Sequence, residues 1–297
     1  MAKGAKGSGR LQDKVAIVTG GATGIGEAIV HKFATEGARV VVAGLPDDPV
    51  ADVVDAVTRK GGDAIGFMGD LSTDADARRC VETAVERYGR LDVLVNNAGV
   101  FLFTGETQDY PVEDFERTVR MNVGTTFLMT KHALPHLQRS HGSVICAGSE
   151  SGKIGLGFNS VYGGTKAWVH AFTRGVAHEQ AQYGVRANCV CPGPIDTAWT
   201  HADTGPMTKK MEKTNTAATP LGRLGTPEEV ANVYCFLASD EASYVTGALW
   251  SVDGGITIGK GPVGLEAGRK ARRQPDQELT LEHQLDGLRN TDYHSSL

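Results

Sequence analysis

The sequence predicts an α/β fold, a single doubly wound parallel sheet of about seven strands with helices on both faces. Three observations carry that expectation. Short β-branched runs alternate with helical patterns along most of the chain, the rhythm of βαβ units whose right-handed crossovers build a parallel sheet. The strand runs are nearly continuous in apolar residues rather than alternating, as strands covered on both faces are. A glycine-rich turn follows the first of them.

Residues 15–18 form the first run, which ends in Thr19 and a glycine cluster. Ile25, Ile29 and Phe33, four residues apart, mark one face of the next helix. Residues 40–42 are the second strand, followed by a helix through Val53, Val54 and Val57. Residues 64–67 are the third strand, and Ala77, Val81, Ala84, Val85 and Tyr88 share a face of the helix after it. Residues 93–95 and 143–146 are the fourth and fifth strands, with a long helix around 119–137 between them. A helix over about 161–183 leads into a sixth strand, 185–190. Thr226-Pro227-Glu228-Glu229 opens the last core helix: the threonine can cap free amides, proline suits the first helical position, and the glutamate can bond back to the cap. Residues 249–252 are the last strand.

The stretch 195–224 is long and polar, which reads as a functional or mobile loop. Three segments follow: a flexible start, 1–10; a dinucleotide-binding and catalytic domain, 11–258; and a C-terminal extension, 259–297, with a basic cluster at 269–273. In that extension Leu281, Leu285 and Leu288 have helical spacing. They predict a short helix docked on a neighbouring subunit or near the substrate opening, the alternative being a disordered tail.

The net charge of −5 argues against nucleic acid or an anionic membrane as partner. No apolar stretch approaches the ~20 residues that span a bilayer, and the Gly- and Lys-rich start does not read as a secretory signal. The five cysteines are odd in number and mostly sit in apolar segments, as reduced core thiols of a cytoplasmic protein do. Cys189 and Cys191 have no second cysteine pair to complete a zinc site, and His132 and His136, four apart on a helix, have no third ligand nearby. No metal is expected.

Chemistry begins at Thr19-Gly20-Gly21-Ala22-Thr23-Gly24-Ile25-Gly26, between the first strand and the first helix. Gly20, Thr23, Gly24, Ile25 and Gly26 lie where glycines permit a tight turn and a helix start offers free amides and its positive dipole end to a pyrophosphate.

Further motifs then recur in a fixed order: Asp70-Leu71 after the third strand, Asn96-Asn97-Ala98-Gly99 after the fourth, Asn122 in the following helix, Ser149 after the fifth, Tyr162-Gly163-Gly164-Thr165-Lys166, and Pro192-Gly193-Pro194-Ile195-Asp196-Thr197 after the sixth. Over about residues 11–258 the chain resembles the compact, non-extended branch of the short-chain dehydrogenase/reductase family. The resemblance implies a Rossmann-type fold and a nicotinamide cofactor held by the glycine turn, by Asp70 and Leu71, by Asn96, Ala98 and Gly99, and by Pro192, Ile195 and Thr197. It implies a catalytic set of Asn122, Ser149, Tyr162 and Lys166, with Tyr162 and Lys166 also touching the cofactor. It further implies a homotetramer built on two long helices and the last strand.

Taking hydride from a carbinol carbon requires losing the hydroxyl proton, and a phenol with pKa near ~10 is a poor base at neutral pH. Lys166 is four residues from Tyr162 and hence on the same helix face, where an ammonium would favour the phenolate. Ser149 would hold and polarise the substrate oxygen, and Asn122 resembles the residue that positions a water in the family's proton relay. The expected function is hydride transfer between the cofactor and the carbon of an alcohol or ketone. The alternative is a catalytically silent sensor or scaffold. By the resemblance Phe101, Leu102, Phe103, Ile154, Leu156 and Phe158 border the substrate pocket; they suggest a partly apolar substrate, and core packing is the alternative explanation. Cofactor choice departs from the family pattern: Gly44 ends the second strand where NAD users carry an acid, and no basic residue replaces it. Asp47 and Asp48 lie just beyond and would repel a 2′-phosphate, so NAD is expected over NADP.

Overall fold

The computed structural model describes residues 9–200 and 208–277, and the backbone of 294–295. The chain runs β1 (Val15–Thr19), α1 (Gly24–Thr35), β2 (Arg39–Gly44), α2 (Val50–Arg59), β3 (Asp63–Met68), α3 (Asp74–Tyr88) and β4 (Val93–Asn96). There follow β5 (Phe103–Thr104), α4 (Val112–Val119), α5 (Thr125–Ser140), β6 (Ser143–Ala147), α6 (Ser160–Gln180) and β7 (Arg186–Pro192). The last elements are α7 (Lys209–Ala218), α8 (Pro227–Ala238), β8 (Leu249–Val252) and β9 (His294–Ser295).

Seven strands pair in the order β3-β2-β1-β4-β6-β7-β8, and every neighbouring pair is parallel. The sheet is therefore the expected doubly wound one. The chain builds outward from β1 to β3 and then restarts on the other side at β4. That reversal opens a crevice at the carboxyl ends of β1 and β4, where ligands bind in such sheets.

Both faces are covered. Over the face to which β1 turns Ala16 and Val18 lie Ile29 and Phe33 of α1, Val53 of α2 and Tyr234 of α8, all fully buried. Ala77 and Val81 of α3, Met129 and Leu137 of α5 and Val169 of α6 cover the other. Burying each such large side chain stabilises the fold by roughly 1.5–3 kcal/mol. The edge strand β3 buries only Ala64 and Phe67 and leaves Asp63, Gly66 and Met68 exposed, because one edge cannot be fully roofed. The capping box that opens α8 is present: Thr226 Oγ1 accepts from Glu229 N at 3.2 Å, and Glu229 Oε2 accepts from Thr226 N at 2.9 Å.

Three details differ from the expectation. The long helix around 119–137 begins earlier, at Val112, and is broken by a π turn over Arg120–Gly124. A π turn inserts a residue and swings a side chain out of the regular helical phase; here it holds Asn122. The polar stretch 195–224 is not all loop. It contains α7, whose first turn is capped by Thr208 accepting from Met211 N at 3.2 Å. The sixth strand is shifted along the chain, to end at Pro192. Leu281, Leu285 and Leu288 lie outside the described residues.

Candidate active site

A cavity of about 400 Å³ follows the crevice from the end of β2, past the glycine turn, to the start of α6. Its walls include Gly20, Thr23, Gly24, Ile25, Leu71, Ala98, Gly99, Ser149, Tyr162, Lys166, Pro192, Ile195 and Thr197. Thirteen of the seventeen residues expected from the sequence thus converge on one space. Gly26, Asp70, Asn96 and Asn122 stand outside it.

Gly26 acts from behind. A Cβ there would lie 1.8 Å from Gly20 O, so only glycine lets α1 start directly on the turn. Asn97, absent from the expected cofactor contacts, locks that turn: its Nδ2 donates to Thr19 O and Gly20 O, both at 3.1 Å. Its neighbour Asn96 points the other way, as successive strand residues do. It is buried in the core and donates to Thr130 Oγ1 at 2.9 Å, so it lies away from the cofactor space. Asp70 is also diverted. Its carboxylate accepts from Ser72 N at 3.0 Å and from Arg120 Nη1 at 2.9 Å. Burial works against its charge, but these bonds hold its pKa below the ordinary value.

The cavity fits a dinucleotide. The N-cap residue of α1, Thr23, makes no side-chain cap bond, so the first amides of that helix are left to an anionic group. At the far end of the cavity, Asp48 folds back on β2. Its Oδ2 accepts from Leu45 N at 2.6 Å, and the residue lines the wall beside Gly44 and Leu45. The Asp48 carboxylate thus lies beside Gly44 at the end of β2.

At the α6 end, Tyr162 and Lys166 share a helix face as their spacing requires. The Lys166 Nζ lies 5.5 Å from the Tyr162 ring centroid and donates to Ala147 O at 2.9 Å. Tyr162 packs on Phe101, with ring centroids 4.9 Å apart, and its phenol feels the nearby Ser149 side chain. Burial pushes the Tyr162 phenol up to about 12, Ser149 opposing and the Glu150 charge adding to it. Burial also brings the Lys166 ammonium down to about 8. The Lys166 ammonium lies over the Tyr162 ring, and burial sets the direction for the phenol in the protein alone.

Asn122 sits in the π turn, its backbone carbonyl accepting from Thr126 Oγ1 at 2.8 Å. Its Oδ1 accepts from Val100 N at 2.6 Å, while Nδ2 donates to Val100 O at 3.0 Å and Thr165 Oγ1 at 3.1 Å. The side chain is spent on protein partners and ties the segment after β4 to α6. Phe101, Leu156 and Phe158 line the cavity, giving its substrate end apolar walls. His132 bonds Asp74 at 3.0 Å and His136 bonds Arg139, so the two histidines do not share a ligand.

The family model described as enoyl-(acyl carrier protein) reductase matches residues 20–257. The chain belongs to the short-chain dehydrogenase/reductase family. It is 39% identical over 254 residues to the L-fucose dehydrogenase of Bos taurus, covering 85% of this chain and 92% of that one. A solved short-chain dehydrogenase/reductase from Serratia marcescens BCRC 10948 superposes with TM-score 0.77 at 34% identity, covering 84% of this chain and all 100% of that chain. A 7α-hydroxysteroid dehydrogenase complexed with NADH and 7-oxo glycochenodeoxycholic acid superposes with TM-score 0.78 at 32% identity, covering 84% and 96%. The chain is therefore an oxidoreductase that uses a nicotinamide cofactor and transfers hydride to or from an alcohol or ketone carbon. Nothing among these relatives favours a silent sensor or scaffold.

Proposed function

We propose that this enzyme interconverts a partly apolar secondary alcohol and its ketone with NAD, using Tyr162 as acid and base. The observation that carries the reading is the convergence of Ser149, Tyr162 and Lys166 at one end of a dinucleotide-shaped cavity whose substrate side is apolar. When bound, the nicotinamide supplies the two-electron hydride chemistry. The chain's own residues handle orientation and the proton. Ser149 holds the substrate oxygen. Tyr162 exchanges a proton with that oxygen, and its ordinary reluctance to ionise is deepened by burial. The nearby Lys166 provides the compensating positive charge and a donor toward the cofactor's ribose. Asn122 positions the wall behind them rather than reacting. A panel of alcohols and ketones with both cofactors, read by nicotinamide absorbance, tests the reading; no turnover with any secondary alcohol or ketone would contradict it.

The choice of NAD rests on Asp48. Its carboxylate lies at the end of β2, where it can accept hydroxyl hydrogens and would repel a 2′-phosphate. Repulsion between unit charges a few ångströms apart is on the order of 1–4 kcal/mol, a preference of about tenfold or more. Asp48→Asn should therefore move the ratio of kcat/KM values toward NADP by about tenfold. Measuring both cofactors with one substrate checks this; an unchanged ratio would remove Asp48 from the argument.

The described parts of the C-terminal extension support a place for it at the rim of the cavity. Gln277 Nε2 donates to Asp196 Oδ2 at 2.5 Å, β9 pairs with β5 at Phe103–Thr104, and Thr104 lines the cavity. Removing residues 259–297 should raise KM severalfold. Unchanged kinetics together with an unchanged mass in solution would make the tail a bystander. A homotetramer is supported by apolar groups left uncovered on the surfaces the family uses: Phe127 on α5 is 47% exposed and Trp250 on the edge strand β8 is 36% exposed. No helix among the described residues is long and apolar enough to cross a membrane, and the five buried, free cysteines suit a reducing, cytoplasmic setting.

A further inference from the structure

Cys189 and Cys191 lie two apart on β7, so both side chains leave the sheet on one face, the face that α6 covers. His170, one turn beyond Lys166 on α6, meets them there. Cys191 Sγ and His170 Nε2 are 3.3 Å apart, and these two atoms and Cys189 Sγ all lie within 4.8 Å of one another. Both cysteines are fully buried and His170 is 5% exposed. The backbone has been cleared above them. A Cβ on Gly148 would stand 2.4 Å from His170 Nε2 and 2.7 Å from Cys189 Sγ, so a side chain there would close the space in which the three donor atoms meet.

We infer that His170, Cys189 and Cys191 form a binding site for a soft divalent cation, zinc above all, directly beneath Ser149. Two sulfurs and an imidazole nitrogen are the donors zinc prefers. With Zn–S near ~2.3 Å and Zn–N near ~2.1 Å, a tetrahedral ion holds such donors about 3.6–3.8 Å apart. The observed cluster needs only small side-chain shifts to reach that spacing. Loading converts two thiols, a neutral imidazole and Zn²⁺ into two Zn–S bonds and one Zn–N bond, with two protons released to water. Two thiolates cancel the charge of the ion, so the loaded centre is neutral and suits a buried place. A water completes the coordination.

Occupancy reaches the active site through one atom. Ser149 N donates to His170 Nε2 at 3.4 Å, and a metal on that nitrogen takes the lone pair the amide uses. Zinc should therefore inhibit by loosening Ser149 from below, without competing with the cofactor.

The test uses the full chain, reduced and freed of metal by a chelator, titrated with Co²⁺ and read by its thiolate-to-cobalt charge-transfer band. One equivalent should bind. Cys191→Ser and His170→Gln should each weaken binding by at least ~10-fold, whereas Cys80→Ser and Cys235→Ser should leave it intact. Zn²⁺ should displace the cobalt and lower wild-type turnover by roughly 10-fold or more. Cys191→Ser should keep its basal turnover and lose that sensitivity. NADH fluorescence confirms that each variant is folded, and Cys191→Ser alone decides if His170→Gln is not. No charge-transfer band, or a band that survives in Cys191→Ser, would mean a core cluster of thiols beside a satisfied histidine and would overturn the site. Binding that leaves turnover unchanged would overturn the link to Ser149.

Discussion

Tyr162→Phe should lower kcat by about 10²–10⁴-fold, the range that general acid–base groups contribute. The half-buried phenol lies in the cavity beside Ser149 and its ring packs on Phe101, and phenylalanine keeps the ring in that packing. The fold and the dissociation constant for NADH should therefore change little, and the loss should fall on kcat rather than on KM. Lys166→Ala should behave differently. It removes a donor to Ala147 as well as the charge beside the ring, so cofactor affinity and turnover should both decline. Single-turnover rates and NADH titrations of the two variants separate the roles. A Tyr162→Phe enzyme with most of its kcat would remove Tyr162 from the chemistry.

Glu150→Gln should stabilise the protein above neutral pH. Burial, with the nearby Asp253 charge adding to it, pushes the Glu150 carboxyl up to about 7 from 4.5, and its Oε2 has no hydrogen-bond partner among the described residues. The folded state thus holds a proton that the unfolded chain gives up at lower pH. A raised carboxyl pKa means that stability is fully present below pH 4.5 and declines as pH rises toward about 7. At pH 8 the buried charge should cost on the order of 2–3 kcal/mol, which glutamine avoids. Denaturant midpoints of wild type and variant should coincide near pH 4 and separate progressively toward pH 8. Parallel curves across that range would show that Glu150 is solvated or paired in solution.

The sheet was legible in the sequence because its inner strands are roofed on both faces. Runs such as Val40-Val41-Val42 have no polar member to confuse their assignment. The start of α8 was legible because its capping box is local chemistry. What stayed hidden depends on geometry between elements. The π turn at Asn122 adds one residue to a helix and leaves no periodic trace. α7 buries none of its side chains, so nothing in its apolar spacing announces it. The pair Asn96-Asn97 reads as one motif, yet alternation along β4 sends one side chain to Thr130 and the other to the glycine turn. The spacing of Asp48 from Gly44 is visible, but its return to Leu45 N is a product of the turn between them. Cys189 and Cys191 are plainly two apart on a strand. Their third companion, His170, comes from another element and could be found only by folding the chain.

The most direct measurement follows the hydride itself. A secondary alcohol deuterated at its carbinol carbon should be oxidised with NAD by the wild-type enzyme, and mass spectrometry of the reduced cofactor should find one deuterium transferred per turnover. The same mixture with Tyr162→Phe should give almost none over the same time. Reduced cofactor carrying no deuterium, or equal transfer by the two enzymes, would contradict hydride transfer at this site with Tyr162 as its acid and base.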